Sequence, residues 1–338
     1  MKIIQASEVR PKSIKWAWEG KVPLGEITVV SGPPGAGKST LLLQLASDWS
    51  NGLVEGNLKD KPCKVLIISE EDPVEILRIR LYDAEGHLDR IHIGSTNYES
   101  GFRLSGSELN YFRKILTDIE PKILIIDPFV SYLDDKIDTR SDKGIRKGME
   151  PLGEIARDFN LSIVLVAHLN KSQISNPMYR ISGSVGIVAL ARSVLVVMPD
   201  PKAEPAHPCS ILAQIKSSYS IPTHPLRFST ERTCTTDENG RFSGYIPGII
   251  DWRGEAIDIT LDDLFSEGSD GSREELKMSE RWLKKLLLQG PQSCKNVFTQ
   301  AKESGISEFV LRRASAKLKV EHRRIGFGRG SYVQWVLP

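Results

Sequence analysis

No stretch of the chain offers the roughly 18 uninterrupted apolar residues of a membrane span, and the opening Met1-Lys2-Ile3-Ile4-Gln5 lacks a signal-peptide core. Cysteine is scarce. Cys63, Cys209, Cys234 and Cys294 are scattered, with no C-x-x-C pair and no histidine at ligand spacing. That argues against a disulfide framework or a structural zinc site and for free thiols in a reducing, cytoplasmic compartment. Net charge is small too, +2 overall, yet it is unevenly placed. From Arg273 to Pro338 there are 14 lysines and arginines against 6 acids, a local +8 that leaves −6 for the rest. A basic tail on a mildly acidic body points to nucleic acid, not to a membrane.

The 338 residues, 40% hydrophobic and 26% charged, are those of an ordinary globular protein long enough for two domains. Its centre is Gly32-Pro33-Pro34-Gly35-Ala36-Gly37-Lys38-Ser39-Thr40, between the β-branched run Ile27 to Val30 and a helical stretch from Leu41 to Trp49. This is a phosphate-binding loop in the setting it needs. The glycine-rich turn lets backbone N–H groups close around phosphates, and the helix behind it turns its positive end to the same anion. Lys38 neutralises phosphate charge, and the Ser39 hydroxyl is the expected Mg²⁺ ligand.

Further buried strands follow. Lys64 to Ser69 ends in Glu70-Glu71-Asp72-Pro73, where Asp72, Pro73 and Glu75 read as helix cap, first helical residue and capping-box partner. Glu71 then stands at a strand's carboxyl end, where open α/β sheets bind ligands, and either orients the water that attacks the γ-phosphate or is, with Glu70, a solvated acid that the helix dipole favours. Lys122 to Asp127 is a second such strand, and its terminal Asp127 is placed to hold Mg²⁺ through Ser39 or water. Leu161 to Ala167 is a third, ending at His168, which either senses the γ-phosphate or packs locally. Upstream, Trp16 and Trp18 either stack on the base or simply pack.

Beyond a polar loop from Asn170 to Ser182, a short helix ends at Leu190-Ala191-Arg192. Strands Ser193 to Met198 and Cys209 to Ile215 follow, then edge strands His224 to Thr230 and Gly244 to Trp252. The fold class is α/β, a parallel sheet extended by antiparallel edge strands. The expected division is 1–264 for this body, 265–272 for a Gly/Ser linker and 273–338 for a tail of three helices and a hairpin, a winged helix-turn-helix. In its third helix Leu311, Ala314 and Leu318 form an apolar stripe, leaving Arg312, Arg313, Lys317 and Lys319 to reach DNA, with Arg329 on the glycine-rich tip; the alternative is a winged helix used for protein contacts.

Together these motifs resemble the RecA-like ATPases, and within them the hexameric RepA-type replicative helicases of plasmids and related ATPases of mobile elements. The likeness spans about residues 10–250. It rests on Gly32 to Thr40, Ser69-Glu70-Glu71-Asp72-Pro73, Ile123 to Pro128, Ala167-His168-Leu169-Asn170-Lys171-Ser172, Ser182-Gly183-Ser184 through Ala191-Arg192, and Gln214-Ile215-Lys216-Ser217-Ser218-Tyr219. The resemblance implies ATP and Mg²⁺ as cofactors, Glu71 as catalytic base, Asp127 as magnesium acid and His168 as γ-phosphate sensor. By the same likeness Arg192 is an arginine finger given in trans to the neighbouring subunit, and Lys216 a second cation at that shared site. A hexameric ring acting on DNA is expected, with replication or mobile-element proteins as further partners. The basic tail makes the chain more similar to the mobile-element branch than to the small plasmid helicases, which lack one. Lys171 and Arg180 are the cations the loop from Asn170 to Ser182 offers to a single strand. The expected activity is therefore that of an ATP-hydrolysing DNA motor, a helicase. The alternative is a DNA-binding regulator or adaptor that uses ATP as an assembly switch.

Overall fold

The computed structural model describes residues 3–11, 13–94, 103–134, 136–138, 141–169, 185–204, 206–236, 242–265, 270–306, 308–325 and 332–337. The chain divides into two compact units, Met1–Leu264 and Phe265–Pro338.

The first unit opens with a small hairpin, β1 (Trp16–Trp18) and β2 (Val22–Pro23), and then alternates strand and helix. In order come β3 (Ile27–Gly32), α1 (Lys38–Asn51), β4 (Val65–Ser69), α2 (Val74–Asp83) and β5 (Ile91–Gly94). α3 (Gly106–Ile119), β6 (Ile123–Asp127), α4 (Asp142–Asp158), β7 (Ser162–His168) and α5 (Val185–Leu190) follow. The last elements are β8 (Ser193–Pro199), β9 (Ser210–Ser217), β10 (Leu226–Thr236), β11 (Phe242–Glu255) and the short α6 (Leu261–Phe265). The sheet has nine strands in the order β11-β10-β9-β8-β3-β7-β6-β4-β5. Those from β8 to β5 are parallel, while β9, β10 and β11 extend the sheet antiparallel. β3, β4 and β6 are buried along their whole length, as strands covered on both faces must be.

The register decides what meets at the sheet's carboxyl edge. Gly32 on β3 pairs with His168 on β7, and Ser69 on β4 pairs with Asp127 on β6. The ends of four neighbouring strands thus come together beside the start of α1. That helix is anchored by its apolar face: Leu41, Leu42, Leu45 and the fully buried Trp49 pack on Val30, Val166 and Val197, and the Trp49 indole N–H donates to the Ala17 carbonyl at 2.8 Å.

The edge strands run further than the sequence pattern suggests, because each supplies the other's backbone partners from Leu226↔Glu255 to Thr236↔Phe242. They also meet the phosphate loop. A Cβ on Gly37 would lie 3.3 Å from Phe228 and 3.4 Å from Thr230, and the backbone N–H of Ile250 donates to Gln44 on α1. Phe228 is fully buried and meets Trp252 edge-on, ring centres 5.7 Å apart. Phe228→Ala is expected to cost about 3–5 kcal/mol by leaving a cavity under the loop. A fall in the urea unfolding midpoint at unchanged slope is the check.

Trp16 and Trp18 both pack against the first unit. Trp16 is buried at 7% exposure, and Trp18 lies between Trp252, at 6.1 Å, and the Lys21 ammonium, 5.0 Å from its ring.

The second unit consists of α7 (Asp270–Leu287), β12 (Gln292–Ser293), α8 (Cys294–Glu303), α9 (Glu308–Lys317), β13 (Glu321–Ile325) and β14 (Tyr332–Val336), with sheet order β12-β14-β13. Part of the expected linker is helical, since α7 begins at Asp270. An acid at a helix start suits the dipole, and the strong helix formers from Arg273 onward carry Gly271 and Ser272 with them. Leu283, Leu287, Val297, Leu311, Ala314 and Trp335 form this unit's own core, with Leu318 packed against it, so the expected stripe on α9 faces inward. Among the described residues no helix is long and apolar enough to cross a membrane.

Candidate active site

The phosphate loop takes its shape from backbone and neighbours. Gly35 and Gly37 have φ of +75° and +90°, the left-handed region that only glycine enters freely. Gly37 caps α1 with no side chain in the way, so the helix's first N–H groups face outward. A Cβ at Gly32 would fall 2.1 Å from the Val197 carbonyl, so β3 lies against β8 as only glycine permits. Ser210 on β9 ties the loop down by donating to the Ala36 carbonyl at 2.9 Å.

Within this frame Lys38 is buried and spans the loop, its ammonium donating to the carbonyls of Gly32 at 3.1 Å and Pro33 at 3.0 Å. Burial lowers its pKa, against the opposing charges of Asp127 and Glu71. The Ser39 hydroxyl donates to Asp127 Oδ2 at 2.8 Å across 88 residues of sequence. Asp127 is 5% exposed and pushed up to about 6, by burial first and the nearby Glu71 charge second, against the Ser39 hydrogen bond and the charges of Lys38 and His168. Glu71 stands 3.3 Å from His168 Nε2, and its backbone N–H donates to the Ser69 hydroxyl. Lys38, Ser39, Glu71, Asp127 and His168 therefore share one pocket edge.

These residues fit Mg²⁺. Asp127 Oδ1 is buried with no hydrogen-bond partner among the described residues, and two neighbouring carboxylates with a hydroxyl make a hard, negative oxygen site. Among the described residues no group of three or more His, Cys, Asp or Glu could hold a metal ion by itself.

Arg192 and Lys216 lie at the other end of the sheet. The Arg192 backbone N–H donates to the carbonyl of Ile27, the first residue of β3, so the phosphate loop of the same chain begins about 17 Å further along the strand. The Arg192 guanidinium lies 3.6 Å from Glu26 and over the ring of Tyr219, at 5.9 Å, while the Tyr219 hydroxyl donates to Glu26 at 2.8 Å. Lys216, expected as a second cation at the shared site, is held within its own chain. Its ammonium donates to the carbonyls of Val188 at 2.6 Å, Ala189 at 3.2 Å and Ala191 at 2.8 Å, satisfying the end of α5. Burial lowers its pKa, and the adjacent Arg192 charge adds to that.

Asp72 also departs from its expected role. α2 starts at Val74 with Pro73 at its N-cap, one residue later than expected, so Asp72 lies before the cap and accepts from Arg80, whose guanidinium also donates to Thr40 Oγ1 at 2.6 Å. Sequence reading missed Arg80, yet a signal was there: Leu77, Arg80 and Leu81, at helical i, i+3 and i+4 spacing, are the buried residues of α2.

Of the expected DNA contacts, Lys171, Arg180 and Arg329 lie outside the described residues, as does the side chain of Arg313. Lys317 is paired with Glu280 at 2.7 Å, the Arg312 guanidinium lies over Phe298 at 5.4 Å, and Lys319 is exposed.

Strand order, register and a phosphate loop at the carboxyl edge of the sheet are those of the RecA-like phosphate-loop ATPases. The AAA_25 family model, described as an AAA domain, matches residues 2–173, half of the chain, and the chain belongs to that family. Individual relatives agree. The chain is similar to the DNA repair protein RadA of Chlamydia muridarum, 27% identical over 177 residues, 50% of this chain and 35% of the relative. The same-named proteins of Halalkalibacterium halodurans and Bacillus subtilis are 29% and 28% identical over 154 residues, 45% of this chain and 29% and 30% of theirs. The chain thus spans about a third of the length of the curated relatives it matches.

Proposed function

We propose that the protein is an ATP-hydrolysing, Mg²⁺-dependent motor that acts on DNA as a ring, the hexameric helicase of a plasmid or mobile element. The observation that carries this reading is the division of labour across the sheet. Lys38, Ser39, Glu71, Asp127 and His168 meet at the carboxyl edge, and Arg192 stands at the opposite edge, out of reach of its own phosphate loop. A site so divided is completed by a second copy. The similarity to proteins named for DNA repair supports DNA as the partner.

Each residue then has a task. The loop's N–H groups and Lys38 hold the β- and γ-phosphates in line with the attacking water. Ser39 and Asp127 would hold Mg²⁺, which when bound offsets charge on the phosphate oxygens. Glu71 takes the proton of the attacking water, and His168, against Glu71, is set to respond to the γ-phosphate. Arg192 of the neighbouring protomer stabilises the charge that spreads as the bond breaks. Lys216 serves by fixing the helix end that precedes Arg192.

The second unit, read as a winged helix, favours the rival reading, an ATP-switched regulator. Helix α7, a short strand, two helices and a hairpin follow in winged-helix order, and the segment is strongly basic. ATP turnover with single-stranded, double-stranded and no DNA separates the two. A motor is stimulated by single strands and displaces a labelled strand in an ATP-dependent way. Slow turnover indifferent to single strands, with tight duplex binding, would establish the regulator instead.

A further inference from the structure

Arg80 is the one arginine among the buried polar residues of the described chain, at 6% exposure. Burying a guanidinium is costly unless it is paired, so its partners show what it is for. One is the Asp72 carboxylate, next to Glu71; the other is the Thr40 hydroxyl, next to Ser39. A single planar group therefore joins the turn that carries Glu71 to the helix that carries Lys38 and Ser39. We infer that Arg80 is a positioning residue that sets the distance from the Glu71 carboxylate to the phosphate loop. The inference rests on Glu71 acting as the base.

A plain structural anchor for α2 explains less. Asp72 precedes Pro73, the N-cap of α2, and its carboxylate faces Arg80 from outside the helix. The Arg80 Nε–H is buried with no acceptor among the described residues, so the fork is aimed at its two partners at the expense of its third donor. A lysine could not reproduce the hold, because its ammonium lacks the rigid planar fork that reaches two acceptors at once. The geometry also accounts for the last residue of the loop motif: the Thr40 hydroxyl, 3% exposed, serves the Glu71 turn and not the phosphates.

The test uses Arg80→Lys and Thr40→Val, the second removing one acceptor while keeping the side chain's shape and sparing the charge pair. Turnover, equilibrium affinity for the slowly hydrolysed analogue ATPγS and thermal midpoint are measured for each, alone and with Glu71→Gln. A base displaced by about an ångström costs ten- to a hundredfold, so kcat should fall by about that much in both variants while ATPγS affinity is kept. In the Glu71→Gln background Thr40→Val should cause no further loss, since nothing is left to position. If Glu71→Gln is inactive but Thr40→Val turns over like the unchanged protein, or loses ATPγS affinity and thermal midpoint in step with kcat, the positioning role is overturned alone. If Glu71→Gln keeps its turnover, the base assignment falls and takes this inference with it.

Discussion

Arg192→Ala should lower turnover of the assembled protein by about a thousandfold or more, the scale on which a transferred arginine assists phosphoryl transfer. That is about 4 kcal/mol of transition-state stabilisation. The competing role is local. Arg192 pairs with Glu26 at 3.6 Å near the end of α5, with about half its side chain exposed. An ion pair so exposed contributes about 0–1 kcal/mol and a cation near a helix end about 0.3–1 kcal/mol, so its loss should move the thermal midpoint only slightly. Turnover and stability thus report different roles. The trans character has its own signature. Lys38→Ala protomers cannot grip a triphosphate but still present Arg192, and Arg192→Ala protomers have the converse defect. Mixing two inactive proteins should therefore restore part of the turnover. An Arg192→Ala protein within a few-fold of the original, or a mixture as silent as its parts, would remove the shared site from the account.

Glu71→Gln should keep nucleotide binding and lose turnover by about 10²- to 10⁴-fold, the usual contribution of a positioned base. The amide matches the carboxylate in size and cannot accept the water's proton. Binding should hold or tighten, and the sign follows from Asp127. Burial and, second, the Glu71 charge hold that carboxyl at about 6. Removing the Glu71 charge lets Asp127 ionise at lower pH, so the Mg²⁺-ligating form is at least as available at neutral pH. Single-turnover hydrolysis and Mg-ATP titration by fluorescence measure the two halves separately. Turnover within a few-fold of the original would reduce Glu71 to an acid that the start of α2 tolerates.

The two substitutions probe parts of the site that were unequally legible. Gly32 to Thr40 and the apolar run ending at Asp127 could be read residue by residue, because a tight turn and a strand buried on both faces each impose composition on consecutive positions. Equally local rules put the cap of α2 at Asp72, yet the helix starts one residue later with Pro73 at its N-cap, and the Asp72 carboxylate pairs with the buried Arg80. The hold on the Lys216 ammonium was not legible, because its sequence neighbours do not reveal that the end of α5 folds over it. Ser210 and Phe228, which hold the phosphate loop from the far side, carry no local signature of that work.

By itself the amino-acid sequence determined the phosphate loop, the acids at the strand ends, the basic tail and the alternation that makes the body an α/β sheet. These are short-range properties, written in turns and in the period of burial. Only the tertiary structure decided that Ser39 meets Asp127, that Glu71 meets His168, that Arg80 joins Asp72 to Thr40 at the start of α1, and that Arg192 faces away from its own phosphate loop. Strand order and register decide those meetings, and they follow from which apolar faces bury each other across scores of residues, a choice no local pattern encodes.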